Sequence, residues 1–283
     1  MKKKVTKRRL ISIFTGILEM IKVEYIDTHT HLYDERFDED REAVIRRAVD
    51  AGVARMLLPA VDSESHEALI ALAKACPDNC FALMGFHPTS ANENPAFREE
   101  LEAVERLLAD PPVPFYAVGE IGLDLYWSKD FLREQEEALR FQIELALRYD
   151  LPVVVHTREA FEEIIGVFSD YRARGVRGIF HSFAGTSDHY RRIRELGDFR
   201  FGIGGVVTYK NSKIAPVVAG MELSDIVLET DSPYLPPVPY RGKRNESAYT
   251  VIIAEKVAEI KGIPVEEVAR ATTETACRLF RIR

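Results

Sequence analysis

Five of the seven histidines in this 283-residue chain end or follow short apolar runs: His29, His31, His87, His156 and His181. His29 and His31 stand two apart in Asp27-Thr28-His29-Thr30-His31. Residues two apart in an extended chain project to one face, so both imidazoles can reach one metal ion. Asp27, one strand period before His29, is placed to orient a ring from below. Two acids occupy similar positions. Glu120 lies in Gly119-Glu120-Ile121-Gly122-Leu123-Asp124, and Asp231 closes Ile226-Val227-Leu228-Glu229-Thr230-Asp231. A carboxylate buried in an apolar strand requires a partner, which a core arginine or a metal ion would supply. Asp124 has two readings, as a further member of the site or as a cap of its loop. His66 and His189 stand in polar helical surroundings and read as surface residues. Together His29, His31, His156, His181, Glu120 and Asp231 make a donor set suited to Zn²⁺, Mn²⁺ or a similar borderline ion. Two ionised carboxylates are better matched in charge by two dications than by none.

These residues need a frame that brings them to one place. The runs Val23–Thr28, Arg55–Ala60, Cys80–Phe86, Phe115–Ile121, Pro152–His156, Gly178–His181, Arg200–Gly204 and Asp225–Glu229 read as strands buried on both faces. Helical patterns lie between them. Ala43, Ile45, Ala48 and Val49 mark one inward stripe, and Leu101, Val104, Leu107 and Leu108 another. A longer helix is predicted over Phe131–Arg148, with Leu139, Ile143, Ala146 and Leu147 inward. Two more are predicted at the end. One covers Ser247–Ile260; the other follows Pro264 with Val265, Val268, Ala269, Thr272, Ala276 and Phe280 inward. Eight strands alternating with helices predict an α/β fold, a single (β/α)8 TIM barrel over residues 22–283. Each candidate ligand sits at a C-terminal strand end. In a closed barrel those ends form one rim, where enzymes of this architecture keep their active sites.

Composition narrows the field. The chain is 46% hydrophobic and 29% charged, which excludes a disordered protein. No apolar run approaches the ~20 residues of a membrane helix. Cys76, Cys80 and Cys277 are odd in number and show no framework spacing, so a reduced, cytoplasmic protein is expected. Residues 1–19 differ from the rest. Lys2, Lys3, Lys4, Lys7, Arg8 and Arg9, set against Glu19, leave five excess positive charges before and beside a short apolar stretch. That pattern mimics a signal peptide, but Leu18-Glu19-Met20-Ile21 offers no small-residue cleavage site, and a true start at Met20 is the preferred reading. Without that leader the net charge goes from −7 to −12. A barrel this acidic is not an obvious non-specific polyanion binder, since its overall field repels polyanions; a local basic patch or a bound metal would reverse that.

The stretches Asp27-Thr28-His29-Thr30-His31-Leu32, Gly85-Phe86-His87-Pro88, Gly119-Glu120-Ile121-Gly122-Leu123-Asp124, His156-Thr157-Arg158, His181-Ser182-Phe183, Glu229-Thr230-Asp231-Ser232-Pro233-Tyr234-Leu235 and Arg241-Gly242-Lys243-Arg244-Asn245-Glu246 resemble, as an ordered set, the TatD-related metal-dependent deoxyribonucleases of the amidohydrolase-like barrel superfamily. The resemblance runs from about Ile26 to the C-terminus. It implies two divalent metal ions per chain, Mg²⁺, Mn²⁺ or Zn²⁺. His29, His31 and Asp231 would hold one, His156 and His181 the other, and Glu120 would bridge them. His87 would contact a phosphate or water. It also implies a 3′→5′ deoxyribonuclease acting on DNA, on single-stranded or frayed 3′ ends; the sequence itself makes no membrane association and no obligatory protein partner evident. Two features depart from the pattern: Ser247 stands where the family commonly has proline, and the N-terminal extension lies outside it.

Phosphodiester hydrolysis fits these residues. A two-metal site activates a bridging water and clamps attacking and leaving oxygens, and Asp231 is the candidate to take the water's proton. Arg158, Arg241, Lys243 and Arg244 are candidate phosphate binders. Tyr126, Trp127 and Tyr209 fall in rim loops, where they would stack bases or fill the rim. Two other functions use the same barrel. One is hydrolysis of an amide, lactone, phosphotriester or aminoacyl-tRNA ester; the other is a catalytically inactive binding protein, which predicts lost ligands.

Overall fold

The computed structural model describes residues 23–282. The expectations for residues 1–19 and for Met20 lie outside them. Eight strands run in chain order around one sheet: β1 Tyr25–Asp27, β2 Val53–Leu58, β3 Cys80–Met84, β4 Phe115–Asp124, β5 Val153–Arg158, β6 Arg177–Phe180, β7 Asp198–Ile203 and β8 Ile226–Leu228. All seven neighbouring pairs are parallel. The ring closes through Thr28, whose N–H donates to the Leu228 carbonyl at 3.0 Å, and through a parallel bridge between Thr30 and Ser232. The expected eight-stranded barrel is therefore what forms.

Helices cover the outside: α1 Arg41–Asp50, α2 His66–Ala75, α3 Phe97–Ala109, α4 Leu132–Arg148, α5 Phe161–Ser169, α6 Ser187–Arg194, α7 Ile214–Gly220, α8 Thr250–Lys261 and α9 Val265–Phe280. Among the described residues no helix is long and apolar enough to cross a membrane. The predicted stripes are those that pack, with small rotations. On α1 the buried residues are Val44, Ile45 and Ala48, so Val44 replaces Ala43 and Val49 at the interface. Helix α8 starts three residues later than predicted, because Ser247–Tyr249 form a 3₁₀ turn first.

Each strand buries both faces, which is why the runs read as continuously apolar. Ile26, Leu57, Phe81, Leu83, Ala117, Val154, Ile179 and Val227 form an inner cluster together with Ala276, Leu279, Phe280 and Ile282. Helix α9 and the chain end thus close the N-terminal mouth. The Thr273 hydroxyl donates to the Glu24 carbonyl just before β1, fixing that position.

One expectation fails. His66 is 8% exposed at the first position of α2, and burial there lowers its pKa. The polar neighbours that suggested a surface position lie on the helix's other faces. His189 is partly exposed as expected; its ring stacks on Phe161 with centroids 4.5 Å apart and completes a capping box with Thr186.

Candidate metal centre

Strand parity explains how several of the apolar runs deliver polar side chains to one rim, though not His29 and His31, which follow the inward Ile26 by three and five residues. Side chains alternate along a strand, and those that follow an inward residue by two or four also point inward. His156 follows Val154, His181 follows Ile179, and Glu229 follows Val227, while His87 comes four after Leu83. Glu120 does not obey strict alternation from Ala117. The β4–β5 register slips between Val118 and Ile121, and Ile121 packs in the outer core. A register irregularity of this kind re-aims side chains, and here it turns Glu120 inward. The strand then continues three residues beyond the predicted end, because Gly122, Leu123 and Asp124 pair with His156, Thr157 and Arg158. A side chain at Gly122 would lie 1.9 Å from the His156 carbonyl, so the strands can meet there only through glycine.

The six candidate ligands converge. His29 Nε2 lies 3.3 Å from His31 Nε2, 3.2 Å from Glu120 Oε2 and 3.8 Å from Asp231 Oδ1. His31 Nε2 lies 3.5 Å from the same Asp231 oxygen. The other Glu120 oxygen, Oε1, faces His156 Nδ1 at 2.9 Å, His87 Nε2 at 3.5 Å and His181 Nε2 at 3.7 Å. His87 is thus as close to Glu120 as His181 is. Asp124 serves both of its readings at once: Oδ2 meets His156 Nε2 at 2.9 Å and Oδ1 accepts from the Tyr126 N–H at 3.0 Å.

Several residues that hold this array carried no role in the sequence reading. Tyr33 donates its hydroxyl hydrogen to the Pro59 carbonyl at 2.6 Å, so its oxygen accepts from His31 Nδ1 at 2.9 Å. That places the proton on Nδ1 and leaves Nε2 as a lone-pair donor. Glu229, fully buried, faces His181 Nδ1 at 3.0 Å and accepts from the Ser182 N–H at 2.6 Å. It needs Gly202 opposite, since a Cβ there would lie 2.0 Å from its Oε2. Gln142 of α4 pairs with both backbone groups of Phe86, and Gln135 does the same for Asp124, fixing the loops that carry His87 and Asp124. Asp27 does not reach a ring. It accepts from the backbone N–H groups of His29 and Thr230 and from the Thr230 hydroxyl, tying β1 to β8 below the site. Ser247 donates to the Thr30 hydroxyl at 3.3 Å.

The electrostatics follow from crowding carboxylates and imidazoles in a buried space. Burial alone would raise Glu120, but His29, His181, His87 and His156 hold it well below the usual carboxylate range. Burial alone would lower His181, but Glu229 and Glu120 push it up to about 10. His29 is lowered by burial, with His181 adding to the effect against the pull of Glu120. Asp231 is lowered despite its burial, chiefly by His31 and His181. It also sits at a backbone φ of 59°, in the left-handed region, an uncommon conformation that clusters at functional sites.

A cleft of about 500 Å³ opens above these residues, lined by His31, His87, Glu120, His156, His181 and Asp231, and walled by Trp127, Arg158 and Tyr234. Of the four predicted phosphate-binding bases, Arg158 alone lines it. Arg244 is committed to Asp40 at 2.7 Å and to the Arg36 carbonyl. Arg241 lies over the Tyr209 ring and Lys243 over Tyr240. The donor set fits divalent ions. Nε2 atoms 3.3 Å apart, with a carboxylate oxygen 3.2 Å from one of them, form a buried N/O cage of the kind borderline dications occupy.

Comparison with known proteins agrees with this geometry. The family model for TatD related DNase matches residues 26–281. An uncharacterized metal-dependent hydrolase of Bacillus subtilis, YabD, is 38% identical over 261 residues, covering 90% of this chain and 98% of its own. The 3′-5′ ssDNA/RNA exonuclease TatD of Erwinia tasmaniensis is 31% identical, covering 90% and 99%. The crystal structure of the TatD homologue YjjV from Escherichia coli superposes with a TM-score of 0.85 at 31% identity, over 93% of this chain and 100% of that one. The barrel, its polar rim and these matches together place the chain in the TatD-related DNase family of metal-dependent hydrolases.

Proposed function

We propose that the protein is a cytoplasmic phosphodiesterase that removes nucleotides from single-stranded or frayed 3′ ends of DNA, using two divalent ions. The observation that carries this reading is the two-sided engagement of Glu120, with Oε2 toward His29 and Oε1 toward His156, His87 and His181. That is how a carboxylate shared by two cation sites would sit. The 3′-5′ exonuclease relative supports the choice of bond and polarity. His29, His31 and Asp231 would hold one ion, His156 and His181 the other. Such ions supply Lewis-acid polarisation of a phosphoryl oxygen and a water of lowered pKa.

The chain's own groups do the rest. Asp231, kept ionised by its histidine neighbours, accepts the proton of the attacking water on a carboxylate oxygen. His87 Nε2 points at Glu120 from the cleft wall and contacts the phosphate. Arg158 neutralises a non-bridging oxygen. Among the described residues its guanidinium has no carboxylate partner, so that charge remains available.

A substrate screen tests the assignment of bond. Metal-loaded protein is incubated with single-stranded DNA, duplex DNA, RNA, an amide, a lactone, a phosphotriester and an aminoacyl-tRNA. Nucleotide release from single strands supports the reading. Turnover confined to carbonyl or triester substrates would replace it with another hydrolase on the same barrel.

A further inference from the structure

Trp127 is the chain's only tryptophan, and it is 68% exposed at the mouth of the metal cleft. Tyr126 beside it is 49% exposed, and the two rings meet edge to face with centroids 4.9 Å apart. Leaving two large aromatic rings in water forgoes burial, and exposed apolar patches of this kind mark binding surfaces. The pair is also firmly mounted. The Tyr126 N–H is held by Asp124 Oδ1, the same carboxylate whose other oxygen meets His156. The Leu125 N–H donates to the Arg158 carbonyl at 2.9 Å, extending the β4–β5 pairing past the strand end. The Arg158 guanidinium then lies 3.6 Å over the Tyr126 ring and 5.6 Å from the Trp127 ring. An aromatic face, a cation and the candidate metal ligands therefore line one opening of about 500 Å³.

We propose that Trp127 is a stacking subsite for the unpaired base adjacent to the scissile phosphate, with Arg158 on that phosphate and Tyr126 holding Arg158 in place. Every base has a π face, so such a platform accepts any sequence while requiring that the base be unpaired and free to leave its stack. A blunt duplex end, whose bases stay stacked on each other, cannot use it. This inference rests on the phosphodiesterase reading and adds what makes that site select single strands.

The test uses the full-length, metal-loaded protein and two readouts. The first is the intrinsic fluorescence of Trp127 during titration with deoxyadenosine 5′-monophosphate or with 2-deoxyribose 5-phosphate, neither of which holds a phosphodiester to cut. Saturable quenching by the nucleotide and not by the sugar phosphate is expected. The second compares Trp127→Ala, Trp127→Phe and Arg158→Ala on a single strand with an intact or an abasic 3′ terminus. Trp127→Ala should raise KM on the intact strand about tenfold with little change in kcat, leave the abasic strand unaffected, and be largely rescued by Trp127→Phe. Arg158→Ala should weaken both strands alike. Equal quenching by both ligands, or equal KM increases for Trp127→Ala on both strands, overturns the stacking subsite and leaves the hydrolase reading standing. Failure to cut any strand with any ion falls on that reading instead, and the fluorescence comparison still decides the subsite.

Discussion

At the scale of single residues, Tyr33 shows how a neutral group fixes the tautomer of a candidate metal ligand. Its hydroxyl passes its hydrogen to Pro59 and receives one from His31, so removing the hydroxyl alone frees the His31 ring to change tautomer. Partners of this kind affect metal affinity by about ten- to a hundredfold. Tyr33→Phe should therefore weaken Zn²⁺ or Mn²⁺ binding by at least about tenfold in a calorimetric titration, with an unchanged far-UV spectrum; unaltered affinity would remove Tyr33 from the site. The groups that converge were legible in the sequence because each is a polar residue at the end of an apolar run, as in Val153-Val154-Val155-His156. Their supports were less legible. Glu229 stands beside Asp231 in the motif, but its role depends on parity from Val227 and on the space left by Gly202. Arg244 reads as a free phosphate-binding base until the fold brings Asp40 beside it, a contact spanning 204 positions.

At the scale of elements, the strands and helices follow from pattern, and the details that place the site follow from contacts between them. Alternation from Ala117 would have faced Glu120 away from the centre; the register slip on β4 reverses that, and no local signal announces it. Gln135 and Gln142 interrupt the apolar stripe of α4 one heptad apart, a legible oddity whose purpose appears only when β4 and the segment after β3 lie against that stripe. His66 is buried for a related reason: the start of α2 packs against β3, which its own sequence neighbours do not reveal. Burial depresses its pKa in the folded state. The unfolded chain then takes up the proton first as pH falls, so stability drops below the ordinary histidine value of about 6.5. Chemical denaturation at pH 8 and pH 5 should show a larger loss for the native chain than for His66→Gln. Equal losses would mean that His66 contributes nothing to the pH dependence.

At the scale of the whole molecule, a barrel sealed below by α9 and the chain end, and open above at an array of imidazoles and carboxylates, can bind an anionic strand only locally. The chain carries −7 overall, and Arg158 is the one of the four predicted phosphate-binding bases that reaches the cleft. Few phosphate contacts give a shallow salt response. Raising salt from 50 to 200 mM should raise KM for a single strand by roughly three- to sevenfold, as one or two contacts predict. Tight duplex binding that persists in high salt would require a basic surface elsewhere. The most direct measurement follows the length of a 5′-labelled single strand incubated with the native protein and with Glu120→Gln, each first stripped of metal and then reloaded with Mg²⁺, Mn²⁺ or Zn²⁺. The expected result is stepwise shortening from the 3′ end by the reloaded native protein, none by the stripped protein, and none by Glu120→Gln. Shortening that survives metal removal or the loss of Glu120 would contradict a metal-dependent nuclease centred on that carboxylate, as would an intact strand with native protein that elemental analysis shows to carry two ions per chain.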